Sequence, residues 1–451
     1  MKLKYLAYIA ASCAVLLLAL CIVAYRILQA SLPQLDGNID EAALSATVRI
    51  ERDRLGVPTL QAANRMDLAF ATGFVHGQDR FFQMDLSRRL GAGELSGLLG
   101  AGTLEVDKQT RLFRFRHVAR EALRRVPPGQ RALIDAYARG VNAGLGSLHS
   151  RPWEYWALGS PPLKWQPEDS FLVMYAMWWD LQASGFHREI LRRELNARMG
   201  GRECESGWKC GLRFFYPSRT AWDAPIDGTA STAAADTKIE IPTPDVLDIR
   251  RAGKLRDSPP ILSGRDPPLG SNGWAVAGRL TASGEALVAD DLHLGQSVPV
   301  VWYHARLRTV ATETEPALDL NGVTLPGTPM LTAGSNGNIA WGFTNSRGVW
   351  LDVAQLPCTS IDQNELHTPS GLVQLSLVRE EIKVRGAASV WLEVQSGPAG
   401  VLMLAHPERQ SCWFGSWVAQ VPTATNFDLM GLERATSVAD ALALADRKSV
   451  V

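Results

Sequence analysis

The feature that most constrains the fold is a change in hydrophobic period near Ser271. In the first half of the chain, apolar residues recur at helical spacing over residues 68–90, 130–145 and 169–199. After Ser271 they alternate with a period of two, in stretches such as WAVAG, ALVADD and VPVVWYHARL that are separated by Gly and Asn turns. We therefore predict a mainly helical first half and a mainly β second half, which together make an α+β protein.

Shorter patterns complete the first half. The stretch VRIERDRLGVPTLQAAN at residues 48–64 predicts two short strands around a turn at residues 55–58. Asp67 is the expected N-cap of the long helix that follows, and a second helix is expected near residues 95–99.

A compositional break separates the two halves. Residues 216–269 are dense in Pro, Asp, Ser, Thr and Ala, a composition that buries too little apolar surface to order itself well. We interpret this segment as a linker or a covering segment. The predicted regions are thus a leader (1–30), a helical region (31–215), a spacer (216–270) and a strand-rich region (271–451).

The N-terminus carries a long apolar stretch. Two lysines precede a run from Tyr5 to Tyr25, and such a run is about 30 Å long as a helix, enough to cross a bilayer. A cleaved signal peptide is the alternative, with a small-residue cleavage site at Ala30. Both interpretations export the rest of the chain, either into the periplasm or anchored in the inner membrane and facing the periplasm.

Charge and cysteine content exclude some classes of function. Lys plus Arg number 46, and Asp plus Glu also number 46. The net charge is therefore zero, and we expect no nucleic-acid partner. Four cysteines follow the apolar stretch, which permits two disulfides in an exported chain, and Cys204 with Cys210 is the expected pair because it closes a short loop. Cys358 and Cys412 are the other two, and the absence of a CxxC motif argues against zinc.

The stretch PPLGSNGWAVAG places Ser271 directly before a predicted strand. A serine hydroxyl needs a base to act as a nucleophile, and no serine here lies in a GxSxG motif. A serine at the start of a chain can use its own α-amino group, whose ordinary pKa is about 8, as that base. Gly270 has no side chain to block attack on its carbonyl carbon, so cleavage between Gly270 and Ser271 would create such a terminus. The alternative is an ordinary turn, in which Gly, Ser and Asn are common.

Four ordered blocks, spread over most of the exported chain, resemble the penicillin acylase family of N-terminal-nucleophile hydrolases. They are IERDRLGVPTLQAAN, GFVHGQDRFFQMDLSRRLGAGELSGLLG, GSNGWAVAGRLTASGEALVADDLHLG and LPGTPMLTAGSNGNIAWGFTN. The resemblance implies a four-layer αββα fold, with two stacked antiparallel sheets covered by helices, and self-cleavage of one precursor into α and β chains. It also implies a small N-acyl amide substrate, such as a penicillin or an acyl-homoserine lactone, and no required cofactor.

The resemblance assigns roles to three residues. Ser271 is the nucleophile and the self-cleaving residue. Asn345 donates its main-chain N–H to the oxyanion, an interaction worth about 3 kcal/mol. His293 lies near the nucleophile's amino group in an accessory role, although a lone His at a strand edge is also an ordinary structural residue.

The resemblance also suggests a substrate pocket. Met177 and Leu181, one helical turn apart, correspond to the α-chain face of the acyl pocket, and Leu294 to its β-chain wall. Such an apolar lining suits an aliphatic or aromatic acyl chain, but the same spacing also fits plain core packing.

A structural calcium is an open alternative. Glu189 and Asp352 match two carboxylate ligands of the family, but the third position falls on Val349. The lost carboxylate removes charge that the ion needs, and surface salt bridging is an ordinary role for Glu189.

The resemblance further predicts C-terminal truncation, because only about 180 residues follow Ser271 and the family's β chains are longer. A second oxyanion donor, an asparagine side chain, belongs to that further part. The preferred function is an exported linear-amide hydrolase. The alternative is an inactive truncated relative that serves as a membrane-anchored binding or scaffold protein, and no pattern supports a conventional catalytic triad.

Overall fold

A computed structural model describes residues 2–190, 270–313, 316–345, 350–362 and 364–448. The spacer, the Cys204 and Cys210 pair and Val349 lie outside the described residues. The described helices are α1 (Lys2–Ala30), α2 (Arg65–Ala92), α3 (Ser96–Leu99), α4 (Leu104–Arg111), α5 (Phe115–Arg125), α6 (Pro128–Gly146), α7 (Trp153–Ala157), α8 (Asp169–Gln182) and α9 (Val438–Lys448). Residues 184–190 are also helical after a turn at Ala183.

Most of the strands follow Ser271, as the change of period predicts. The strands are β1 (Arg49–Arg52), β2 (Pro58–Ala62), β3 (Gly270–Val276), β4 (Leu287–His293), β5 (Tyr303–Thr309), β6 (Asp319–Thr324), β7 (Leu331–Ser335), β8 (Ala340–Trp341), β9 (Leu351–Leu356), β10 (Ser360–Asp362), β11 (Glu365–Thr368), β12 (Gly371–Gln374), β13 (Ser376–Ile382), β14 (Val390–Gly397), β15 (Gly400–His406) and β16 (Ser411–Trp417). The chain is therefore an α+β protein.

Four sheets are formed by the described strands. A six-stranded sheet has the order β1-β2-β5-β6-β7-β8, and a five-stranded sheet has the order β13-β14-β15-β16-β9. The smaller sheets are β10-β11-β12 and the β3-β4 hairpin. Neighbouring strands in these sheets are antiparallel, except for the parallel pair β2 and β5.

The six-stranded sheet joins the two halves of the chain. Leu60 of β2 lies opposite Leu307 of β5, and both side chains are fully buried in a core cluster that also contains Leu68 of α2 and Leu320 of β6. Because this core is built from both halves, β2 and the start of α2 bury their apolar side chains against strands of the second half. A cut between the halves would leave them associated through this sheet.

A buried histidine also links the halves. His76 of α2 has one ring nitrogen 2.7 Å from the Tyr137 hydroxyl and the other 2.9 Å from the Thr324 hydroxyl, and the Gly327 N–H donates to Tyr137 at 2.8 Å. Burial, with a smaller contribution from the charge of Arg80, lowers the pKa of His76 to about 3. The ring is therefore neutral and connects α2, α6 and the end of β6.

The cap of α2 differs from the prediction. Asn64, not Asp67, is the N-cap, and its side-chain oxygen accepts the Asp67 N–H at 2.8 Å. The Asp67 carboxylate instead accepts hydrogen bonds from the N–H and the hydroxyl of Ser45. These bonds tie the segment before β1 to the first turn of α2.

The N-terminal helix and one disulfide complete the fold. Within α1, the stretch Tyr8–Ala30 has 23 residues that are apolar enough to span a membrane, and none of its side chains is buried. Cys358 and Cys412 form a disulfide that joins the segment after β9 to β16.

Candidate active site

The β3-β4 hairpin carries Ser271 and His293. In its register Gly270 lies opposite His293, Ser271 opposite Leu292, and Gly273 opposite Asp290. Cross-strand partners share a face of a sheet and successive side chains alternate between faces, so Ser271 and Asp290 lie on one face. His293 lies on the other face.

The hydroxyl of Ser271 and the imidazole of His293 thus point to opposite sides of the hairpin. The side chain of Asn272 supports this placement, because its amide nitrogen is 3.5 Å from His293 Nε2. The backbone of His293 is nevertheless the direct neighbour of Gly270. The register therefore brings the main chain of His293 beside Gly270.

His293 is held by a neighbouring carboxylate. Its Nε2 lies 2.8 Å from Asp291 Oδ2, and both side chains are exposed. A carboxylate in this position fixes the orientation of the ring.

The segment 342–345 packs on the face of the hairpin that carries Ser271. The N–H of Phe343 donates to Asp290 Oδ2 at 3.1 Å. A Cβ added at Gly342 would lie 2.6 Å from Asp290 Cγ, and one added at Gly273 would lie 3.5 Å from Thr344 Cγ2. Close approach at Gly342 is therefore possible only without a side chain. The half-buried Asn345 follows directly.

Asp290 is a residue of this site that the resemblance to the family did not indicate. Its Oδ2 accepts the Phe343 N–H and thereby holds the segment before Asn345 onto the hairpin. Its second oxygen, Oδ1, is buried and has no hydrogen-bond partner within the described part of the chain. The sequence signal for this residue is the adjacent acidic pair Asp290 and Asp291 in VADDLH. Asp291 contacts His293, whereas Asp290 lies on the opposite face of the hairpin.

The profile of the penicillin amidase family matches residues 47–451. The chain belongs to the penicillin amidase family.

Several relatives of this chain in the penicillin amidase family are named as acylases. The chain is 30% identical over 315 residues to acyl-homoserine lactone acylase QuiP of Pseudomonas aeruginosa, covering 70% of this chain and 35% of the relative. It is 30% identical over 383 residues to the penicillin acylase 2 proenzyme of Pseudomonas sp., covering 84% and 46%. It is 23% identical over 349 residues to penicillin G acylase of Escherichia coli, covering 68% and 40%. The chain therefore spans less than half the length of these relatives.

Among solved structures, the chain is similar to the thermostable penicillin G acylase from Alcaligenes faecalis. The TM-score is 0.33 at 22% identity, and the match covers 44% of this chain and 98% of that chain.

The three residues predicted to line an acyl pocket lie on α8 and just after β4. Met177 of α8 is partly buried and packs against a core cluster that includes Val173 and Leu325, which fits the core-packing alternative. Leu181 is half-buried near the end of α8, and Leu294 is half-buried just after β4. Their role in binding an acyl chain stays a prediction.

The two carboxylates of the suggested calcium site lie on neighbouring elements. Glu189 is in the helical segment 184–190 and Asp352 is in β9. A Cβ added at Gly185 would lie 2.9 Å from Leu351 Cδ2, so this segment packs against β9. Within the described residues, no group of three or more His, Cys, Asp or Glu side chains could hold a metal ion. The calcium site stays a prediction.

Proposed function

We propose that this chain is an amide hydrolase precursor that cleaves itself between Gly270 and Ser271 and then uses Ser271 as an N-terminal nucleophile. The observation that carries the proposal is the packing of the segment 342–345 on the Ser271 face of the hairpin. Family membership supports the class of reaction, and the acylase names of the relatives favour an enzyme over the scaffold alternative.

Self-cleavage begins with attack of the Ser271 hydroxyl oxygen on the carbonyl carbon of Gly270. The C–N bond breaks, the nitrogen receives a proton and becomes the α-amino group of Ser271, and the Gly270 acyl group is held as an ester on the hydroxyl oxygen. Water then hydrolyses the ester, which leaves a carboxylate on Gly270 and a free hydroxyl on Ser271. We assign the exchange of protons at this peptide bond to His293, which pairs with Gly270 in the hairpin register and contacts Asp291.

Turnover uses the amine that the cleavage creates. The α-amino group of Ser271 takes the proton of its own hydroxyl, and the oxygen attacks the carbonyl carbon of an N-acyl substrate. The main-chain N–H of Asn345 stabilises the oxyanion, an interaction worth about 3 kcal/mol. The leaving amine takes the proton, and water releases the acid from the acyl-enzyme.

The proposed substrate is a small N-acyl amide of the class named in the relatives, a penicillin or an acyl-homoserine lactone. Met177, Leu181 and Leu294 would contact its acyl chain, and the chemistry requires no cofactor. We further propose that the six-stranded and five-stranded sheets are the two inner layers of an αββα arrangement. The chain would act outside the cytoplasm, with α1 as its anchor or its signal.

The test is the mass and the N-terminal sequence of the purified protein. We expect the wild-type chain and the variant Ser283→Ala to release a fragment that begins at residue 271, whereas Ser271→Ala stays uncut and hydrolyses no amide. Ser283 is the matched control, because it is an exposed serine in the turn of the same hairpin. A wild-type chain with a single uncut mass and no amide hydrolysis would support the scaffold alternative, and cutting in Ser271→Ala would exclude Ser271 as the nucleophile.

A second prediction concerns Asp290. We expect Asp290→Ala to slow the self-cleavage by roughly 100-fold, because a displacement of about 1 Å in a reacting group can cost that much. Asp290→Asn keeps an oxygen that can accept the Phe343 N–H, so its rate should stay much closer to that of the wild type. The rate is followed as the loss of intact mass with time. Equal rates for the wild type and Asp290→Ala would contradict the role of Asp290.

A further inference from the structure

The loop before α7 is bonded to the end of the N-terminal helix. The Ser150 N–H donates to the Ala30 carbonyl at 2.9 Å, and the Trp156 ring N–H donates to the Ser150 hydroxyl at 2.8 Å. Ala30 is the last residue of both α1 and the stretch that could span a membrane. Trp156 is thus two hydrogen bonds away from the point where α1 would leave a bilayer.

Two large aromatic side chains are exposed at this point. Trp153 is 52% exposed and Trp156 is 47% exposed. They are three residues apart in α7, so they lie on the same side of the helix. We call these two side chains the tryptophan patch. Leu32, just after α1, is also exposed.

The composition of this surface fits the boundary between lipid and water. Tryptophan is enriched there because its ring is apolar while its N–H needs a polar partner. The guanidinium of Arg151 lies 4.1 Å from the centre of the Trp156 ring, and Arg26 is one turn before the end of α1. Both cations can meet anionic headgroups. Glu154 of α7 carries the opposite charge, and burial raises the pKa of its carboxyl.

We propose that the tryptophan patch lies in the headgroup layer of the membrane beside α1 and holds the exported part of the chain against the bilayer. The occupant of this surface is the lipid itself. A single spanning helix would otherwise let the exported part rotate about one connection, whereas a second contact next to the first restrains its orientation. The face of the molecule around α7 would thus be directed toward the membrane.

The test uses the full chain in lipid vesicles. Protein whose mass shows that residues 1–30 are present is reconstituted in vesicles of phosphatidylethanolamine and phosphatidylglycerol with brominated acyl chains, which quench nearby tryptophans. Because α1 contains no tryptophan, any quenching comes from the rest of the chain. We expect the double variant Trp153→Phe with Trp156→Phe to lose at least half of the quenched emission, because it keeps an apolar surface but lacks the two indoles.

Trp391→Phe is the matched control. Trp391 is 57% exposed and also has an arginine, Arg379, 5.6 Å from its ring centre. This variant should keep the quenching of the wild type. Unchanged quenching in the double variant would overturn the proposal and point to a protein partner for the patch. An equal loss in Trp391→Phe, or a mature chain that lacks residues 1–30, would overturn it as well.

Discussion

Replacing Asp169 by alanine is expected to lower the free energy of unfolding by about 3 to 5 kcal/mol, because it leaves the buried Arg88 and the partly buried Arg116 without their shared anion. Asp169 is 1% exposed, and its two oxygens lie 2.6 Å from Arg88 Nη1 and 3.1 Å from Arg116 Nη1. The same carboxylate also accepts the N–H of Gln166. One side chain therefore joins α2, α5 and the start of α8.

Arg88 keeps its positive charge when Asp169 is removed, because a guanidinium stays protonated at neutral pH. In the wild type its charge is balanced by two carboxylates. Burial alone would lower the pKa of its guanidinium, but the charges of Asp169 and Asp85 outweigh burial and hold that pKa above its ordinary value. Arg88 also donates to the carbonyls of Leu163 and Lys164. The cation would stay in place in the variant, with only Asp85 to balance it.

The control for Asp169→Ala is Asp135→Ala. Asp135 pairs with Arg131 at 3.0 Å on the surface of α6, where the two side chains are 33% and 40% exposed. Exposed pairs contribute at most about 1 kcal/mol, so this variant should unfold close to the wild type. The free energies of unfolding of both variants and the wild type are measured by urea titration in the same detergent, with circular dichroism as the signal. Equal urea midpoints for the two variants would mean that the ion pairs of Asp169 with Arg88 and Arg116 are not a major source of stability.

Local pattern was enough to predict the main elements. The helical and strand-rich halves, the first two strands and the strand at Ser271 follow from hydrophobic period and turn residues. The helix predicted over residues 169–199 is interrupted after Gln182 by a turn at Ala183. The apolar spacing continues past Ala183, but the Ser184–Gly185 pair that follows it is a local signal for a kink, because helices often bend at such pairs.

The arrangement of the candidate site could not be predicted, because it depends on contacts distant in the chain. Asp67 has the chemistry of an N-cap, but it binds Ser45, which comes 22 residues earlier. The role of Asp290 requires both the register of the hairpin and a segment 53 residues further on. The opposite faces of Ser271 and His293 also follow from register, which the order of residues in each strand does not reveal.

Helices α2 and α6 lie so close together that no methyl group can be added between them. A Cβ at Gly140 would lie 1.9 Å from the carbonyl oxygen of Phe70, and one at Gly144 would lie 2.0 Å from that of Phe74. Contact in the opposite direction is equally close, since a Cβ added at Gly73 of α2 would lie 2.2 Å from the carbonyl oxygen of Tyr137 in α6. The obstacles are backbone atoms, which no rotamer change can move.

We expect Gly140→Ala to lower the free energy of unfolding by about 3 kcal/mol, at the upper end of the usual cost of overpacking, because the two helix backbones must separate. Gly146→Ala is the matched control in the same helix, since a Cβ there meets nothing within 4 Å. Alanine has the higher helix propensity, so the control should be unchanged or more stable by up to about 1 kcal/mol. Urea unfolding again measures both variants. Because α2 also carries His76, which bonds to Tyr137 and Thr324, separation of the helices should disturb the junction of the two halves as well. Equal stability of the two alanine variants would show that α2 and α6 can move apart at no cost.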